Sequence, residues 1–92
     1  MNKKNPVSYP LFRMYSDKQT FFKIESETSF TELKRWGKFY LVQNFEAQNY
    51  ADRLMIQDMI HCSVAQYVES TDEEYLQTLD KWSLELTPFP TG

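Results

Sequence analysis

The sequence predicts an α+β fold: a small, mostly antiparallel sheet of three or four strands, in the order β-β-short α-β-α-β-α, with the helices packed on one face. Three observations carry that expectation. Residues 36–47, Trp-Gly-Lys-Phe-Tyr-Leu-Val-Gln-Asn-Phe-Glu-Ala, alternate as a strand, placing Phe39, Leu41, Gln43, Phe45 and Ala47 on one face and Tyr40, Val42, Asn44 and Glu46 on the other. From Tyr50 the apolar residues fall at helical spacing, with Met55 and Met59, and Ile56 and Ile60, four apart. Thr71-Asp72-Glu73-Glu74 matches a helix-capping box, followed by Tyr75, Leu76, Leu79 and Trp82 and then Leu86 along an amphipathic face.

The remaining elements follow in chain order. Tyr9 to Tyr15 reads as a first strand, and Pro10, which has no backbone N–H to donate, places it at an edge or a strand start. Ser16 to Gln19 is a polar turn, and Thr20 to Glu25 is a second strand pairing with the first. In that hairpin Phe12 and Met14 are expected beside Phe22 and Ile24, with Arg13, Phe21 and Lys23 on the other face. Ser29-Phe30-Thr31-Glu32 is also a capping-box match, which predicts a short helix ending near Trp36 with Gly37 as its left-handed C′ residue. Asn49 is the expected N-cap of the next helix. That helix either runs unbroken to Val68 or, the preferred reading, breaks at about Ser63 with Val64 to Glu69 returning as a strand. The last helix ends before Pro88. Residues 1–92 are expected to form one domain, with 1–8 and 87–92 as flexible tails.

Composition narrows the function classes. Fifteen aromatic residues among 92 place the chain with globular proteins, and two glycines leave no phosphate-cradling loop. The single cysteine, Cys62, cannot close an intramolecular disulfide, which points to a reducing compartment. The basic start Asn2-Lys3-Lys4 is not followed by an apolar run, so the expectation is a cytoplasmic protein with no membrane span. Net charge is −3, but its distribution is uneven: residues 1–40 hold eight Lys or Arg against four acids, and residues 41–92 hold two against nine.

No catalytic constellation emerges. Asp58, His61 and Cys62 are the only neighbours that bring a His and a Cys together, but successive helical residues diverge by about 100° and no second ligand pair completes a zinc site. Glu69, Asp72, Glu73 and Glu74 are dense, and helix capping accounts for most of them. The reading is therefore a non-enzyme without cofactor or metal: a protein–protein interaction module whose partner is another protein or a second copy of itself. Candidate binding residues are Arg13, Phe21, Lys23, Lys34, Arg35 and Trp36, with Glu73 and Glu74 as an acidic surface; Tyr9, Tyr15 and Tyr40 are further aromatic anchors, and Lys38 extends the basic rim. The alternative is an acidic mimic that occupies a basic, nucleic-acid-binding groove on a larger partner. A third reading is single-stranded nucleic acid bound on an Arg13, Phe21 and Lys23 hairpin face.

Overall fold

Neighbouring residues of a strand point to opposite faces of its sheet, so Phe21 and Phe22 cannot share a core. Both are nevertheless buried, at 2% and 3% exposure. A sheet with this strand at its centre needs cover on both faces. The computed structural model, which describes residues 8–90, provides it with one helix on each side.

Among the described residues, six strands and two helices make up a compact, mixed α+β fold. They are β1 (Leu11–Tyr15), β2 (Thr20–Ser26), β3 (Ser29–Trp36), β4 (Phe39–Glu46), α1 (Tyr50–His61), β5 (Tyr67–Glu69), α2 (Asp72–Glu85) and β6 (Thr87–Pro88). The sheet order is β5-β1-β2-β3-β4-β6, antiparallel throughout except for the β4–β6 pair. On one face Ile56, Met59 and Ile60 of α1 pack with Phe22, Ile24, Phe30 and Tyr67. On the other, Tyr75 and Trp82 of α2 pack with Met14, Phe21 and Leu33. Burying each such side chain contributes roughly 1.5–3 kcal/mol, so the two small cores together hold the helices to the sheet.

Four expectations are corrected. The helices do not share a face, for the reason that Phe21 and Phe22 impose. The sheet has six strands where three or four were expected, because residues 29–36 are a strand and the tail adds another. Ser29 does not cap a helix: the Ser26 hydroxyl bonds the hydroxyls of Ser29, at 2.9 Å, and Thr28, at 3.2 Å, and accepts the Thr28 N–H, closing a hairpin turn in which Ser26 faces Ser29. Phe30 and Leu33 are both buried, but in the two different cores, as odd spacing along a strand requires. Residues 87–88 pair with Phe39 and Tyr40 in place of fraying. Of the expected tails over 1–8 and 87–92, residues 1–7 and 91–92 lie outside the described residues.

Other expectations hold. Asn49 caps α1, its side chain accepting the Asp52 N–H at 2.9 Å, and the helix stops at His61 with Cys62 in the left-handed region at φ 51°. The strand that follows is β5. Thr71 caps α2 by accepting the Glu74 N–H at 3.0 Å, although Glu74 itself accepts from the Ser70 hydroxyl and not from the cap backbone. Leu76 departs from the predicted apolar stripe and is 58% exposed. Gly37 has the positive φ expected of it, +63°, but as the first residue of a two-residue hairpin loop, where a type II′ turn demands that sign. No helix among the described residues is long and apolar enough to cross a membrane.

Candidate functional site

Register decides which candidate residues meet. In the β1–β2 pair Arg13 lies opposite Phe22, Phe12 opposite Lys23 and Met14 opposite Phe21, the reverse of the predicted faces. Arg13 is therefore on the α1 face, away from Phe21 and Lys23. Its guanidinium donates to the carbonyl oxygens of Met59 at 2.9 Å, Ile60 at 2.7 Å and Phe12 at 2.9 Å. Those first two carbonyls belong to the last turn of α1, where the helix dipole favours a cation, and the Met59 carbonyl also accepts the Cys62 N–H at 3.3 Å. Arg13 is a helix clamp, and Phe21 is buried against Trp82 with ring centroids 5.9 Å apart. Lys23 lines a shallow depression with Tyr9, Pro10 and Glu25. The expected hairpin binding face of Arg13, Phe21 and Lys23 does not form.

The acidic candidates have local roles. Glu74 accepts the Ser70 hydroxyl at 2.8 Å, Glu73 accepts from the Gln77 side chain at 3.3 Å, and Asp72 accepts the Glu73 N–H at 2.8 Å. These are bonds of a helix start. His61 pairs with Gln57 one turn back at 3.2 Å, and among the described residues no group of three His, Cys, Asp or Glu side chains is placed to hold a metal.

Lys34 and Trp36 share one face at the far end of the β3–β4 hairpin, while Arg35, which pairs with Tyr40, starts from the other. Trp36 is 61% exposed, which is exceptional for the largest side chain in a small fold. It is also held in place. Phe89 stacks on the indole with centroids 5.3 Å apart and planes 7° from parallel, and Phe39 meets Phe89 edge to face at 5.7 Å. Phe89 is positioned by its own backbone, whose N–H donates to the Tyr40 carbonyl at 2.8 Å, while the Thr87 N–H donates to Lys38 at 2.9 Å. The Lys34 ammonium stands 5.8 Å over the Trp36 ring and that of Lys38 stands 5.8 Å over Phe39. Arg35 bends around the turn to donate to the Gly37 carbonyl at 3.1 Å. The result is a rigid aromatic corner with a cationic rim. Phe89 was missed by sequence reasoning because two flanking prolines read as the end of order; the signal available was an aromatic residue in a tail that otherwise had no reason to carry one.

Comparison with protein-family models, with curated proteins and with solved structures returns no match for this chain.

Proposed function

We propose that this protein is a non-catalytic interaction module that docks through the corner formed by Trp36, Phe39 and Phe89, against a protein surface that presents apolar groups ringed by carboxylates. The observation that carries the reading is the exposed Trp36, stacked on Phe89, with the Lys34 ammonium over its ring and that of Lys38 over the adjacent Phe39. A rigid aromatic anchor gives up little conformational freedom on binding, and tryptophan with a basic rim is the side-chain chemistry enriched at binding hot spots. The rim confers steering and orientation more than affinity. A second copy of this chain is a candidate partner, because its carboxylate-rich second half supplies the complementary charge.

Single-stranded nucleic acid is the second reading for the same corner, since exposed tryptophan beside lysines also suits base stacking and phosphate contact. It is less supported. One face of the indole is already taken by Phe89 and is closed to a base. Capture from lysate with the tagged protein, with and without nuclease and at low and high salt, separates the two: a protein partner survives nuclease, whereas a nucleic-acid complex disappears and weakens steeply with salt. Sedimentation of the purified chain tests self-association.

A further inference from the structure

On the α1 face, closer to the helix than the Trp36 corner, the sheet carries a cavity of about 360 Å³. Its floor is a row across three strands: Phe22 of β2 pairs with Glu32 of β3, which pairs with Gln43 of β4. Tyr15 and Tyr67 line it from β1 and β5, and α1 closes one side through Met55 and Met59. The aromatic rings form a continuous set. Tyr15 meets Phe22 edge to face at 5.2 Å and Tyr67 at 5.5 Å; Phe22 meets Phe30 at 5.7 Å; Phe30 stacks on Phe45 at 4.9 Å. A half-buried carboxylate set into an aromatic wall is costly unless a cation or hydrogen-bond donors answer it. Lys34, the next residue on the same strand face, has its ammonium over Trp36. Glu32 also lies near enough to Tyr15 to help hold that phenol in its protonated form, after burial and the Tyr67 hydroxyl.

We infer that this cavity binds the head of an alkylammonium ion, with the partly buried rings of Tyr15 and Phe45 beside the cation, the buried Phe22 and Tyr67 beneath them, and the Glu32 carboxylate as its counter-charge. Ring faces attract cations through their quadrupole, and recognition of quaternary ammonium groups uses this combination of aromatic walls and an acid. The volume is at the lower end for small-molecule sites, which suits a head group and excludes a large cofactor. The same chemistry comes from a free trimethylammonium compound or from a trimethyllysine side chain. The inference does not depend on the Trp36 corner, which lies farther along the sheet.

The test is calorimetric titration of the whole chain with choline, with a peptide carrying one trimethyllysine, and with dimethylbutanol, the uncharged carbon isostere of choline. At least one cation binds, the isostere binds roughly tenfold more weakly or not at all, and Glu32→Gln weakens the cation by about tenfold. A tighter peptide identifies a protein-borne ligand, and equal or tighter choline a free one. Absence of binding by both cations, or isostere affinity equal to that of choline on the native chain, overturns the inference, and the second result needs no variant that might fail to fold.

Discussion

Trp36 and Phe89 lie face to face, 53 residues apart in sequence, with their planes 7° from parallel. The stack ties the last described strand to the β3–β4 hairpin and leaves the outer part of the indole in water. An exposed side chain whose main contact is one stacked ring should matter little for stability. Trp36→Ala is expected to cost at most about 1 kcal/mol in denaturant unfolding. Phe21→Ala, made inside the α2 core at 2% exposure, is expected to cost about 3–5 kcal/mol in the same measurement. Comparable losses for the two would mean that Trp36 belongs to the core.

Arg13 links strand and helix. Its bonds to Met59 and Ile60 satisfy the C-terminal carbonyls of α1 from the neighbouring strand. Arg13→Ala is therefore expected to destabilise the fold by about 2–3 kcal/mol, hydrogen bonds to charged groups being the stronger kind. Amide hydrogen exchange should show the loss first in the last turn of α1. Lysine, with one ammonium in place of a planar fork, should rescue only part of it.

Thr71 is the N-cap of α2, and its hydroxyl accepts the Glu74 N–H. Thr71→Ala should cost about 1 kcal/mol by thermal or chemical unfolding, and Thr71→Ser or Asn should recover most of it. Equal stability of the alanine and serine variants would remove the cap from the account.

Three tyrosines give the protein a defined alkaline limit. Burial, then the Glu25 carboxylate, raises the pKa of Tyr75; burial, then Tyr67, Glu32 and Asp17, raises that of Tyr15; burial and Glu27 raise that of Tyr9. The unfolded chain loses these protons first, near the ordinary phenol value of about 10, while the folded chain keeps them. Stability from these groups is therefore complete below that pH and is lost as pH climbs from it through the folded values. Phenolate absorbance in the folded protein should show tyrosines titrating late, with unfolding accompanying the last of them. A titration in which Tyr9, Tyr15 and Tyr75 ionise at the ordinary value would contradict this account.

The elements that sequence reasoning placed correctly are those whose signals are local. Asn49 and Thr71 mark their helices because a cap needs only a side-chain oxygen and a backbone N–H three residues on. The alternation of residues 39–46 is equally local, although Trp36, expected to open that strand, instead ends β3. Ser29-Phe30-Thr31-Glu32 shows the limit of such signals, since the same residue types suit a hairpin turn once Ser26 is near enough to bond Ser29. Layering was legible in principle from Phe21-Phe22, because two adjacent aromatic residues in a strand need two cores. The Arg13, Phe21 and Lys23 face failed through register: Arg13 opposite Phe22 places the guanidinium on the α1 side, and strand pairing is not written within either strand alone. The Trp36 corner was half legible, its basic rim and indole by composition, and its Phe89 support only through the parallel pairing of β6 with β4.

The central claim is that the Trp36 corner is where this protein meets a protein partner. The direct measurement is parallel capture from nuclease-treated lysate with the native chain and with Trp36→Ala, quantified by mass spectrometry after both proteins are shown to be folded. The account predicts a stoichiometric protein on the native chain that falls at least about tenfold with Trp36→Ala, the loss typical of a hot-spot anchor. Undiminished recovery with the variant would contradict it, and recovery that nuclease abolishes from the native chain would transfer the corner to nucleic acid.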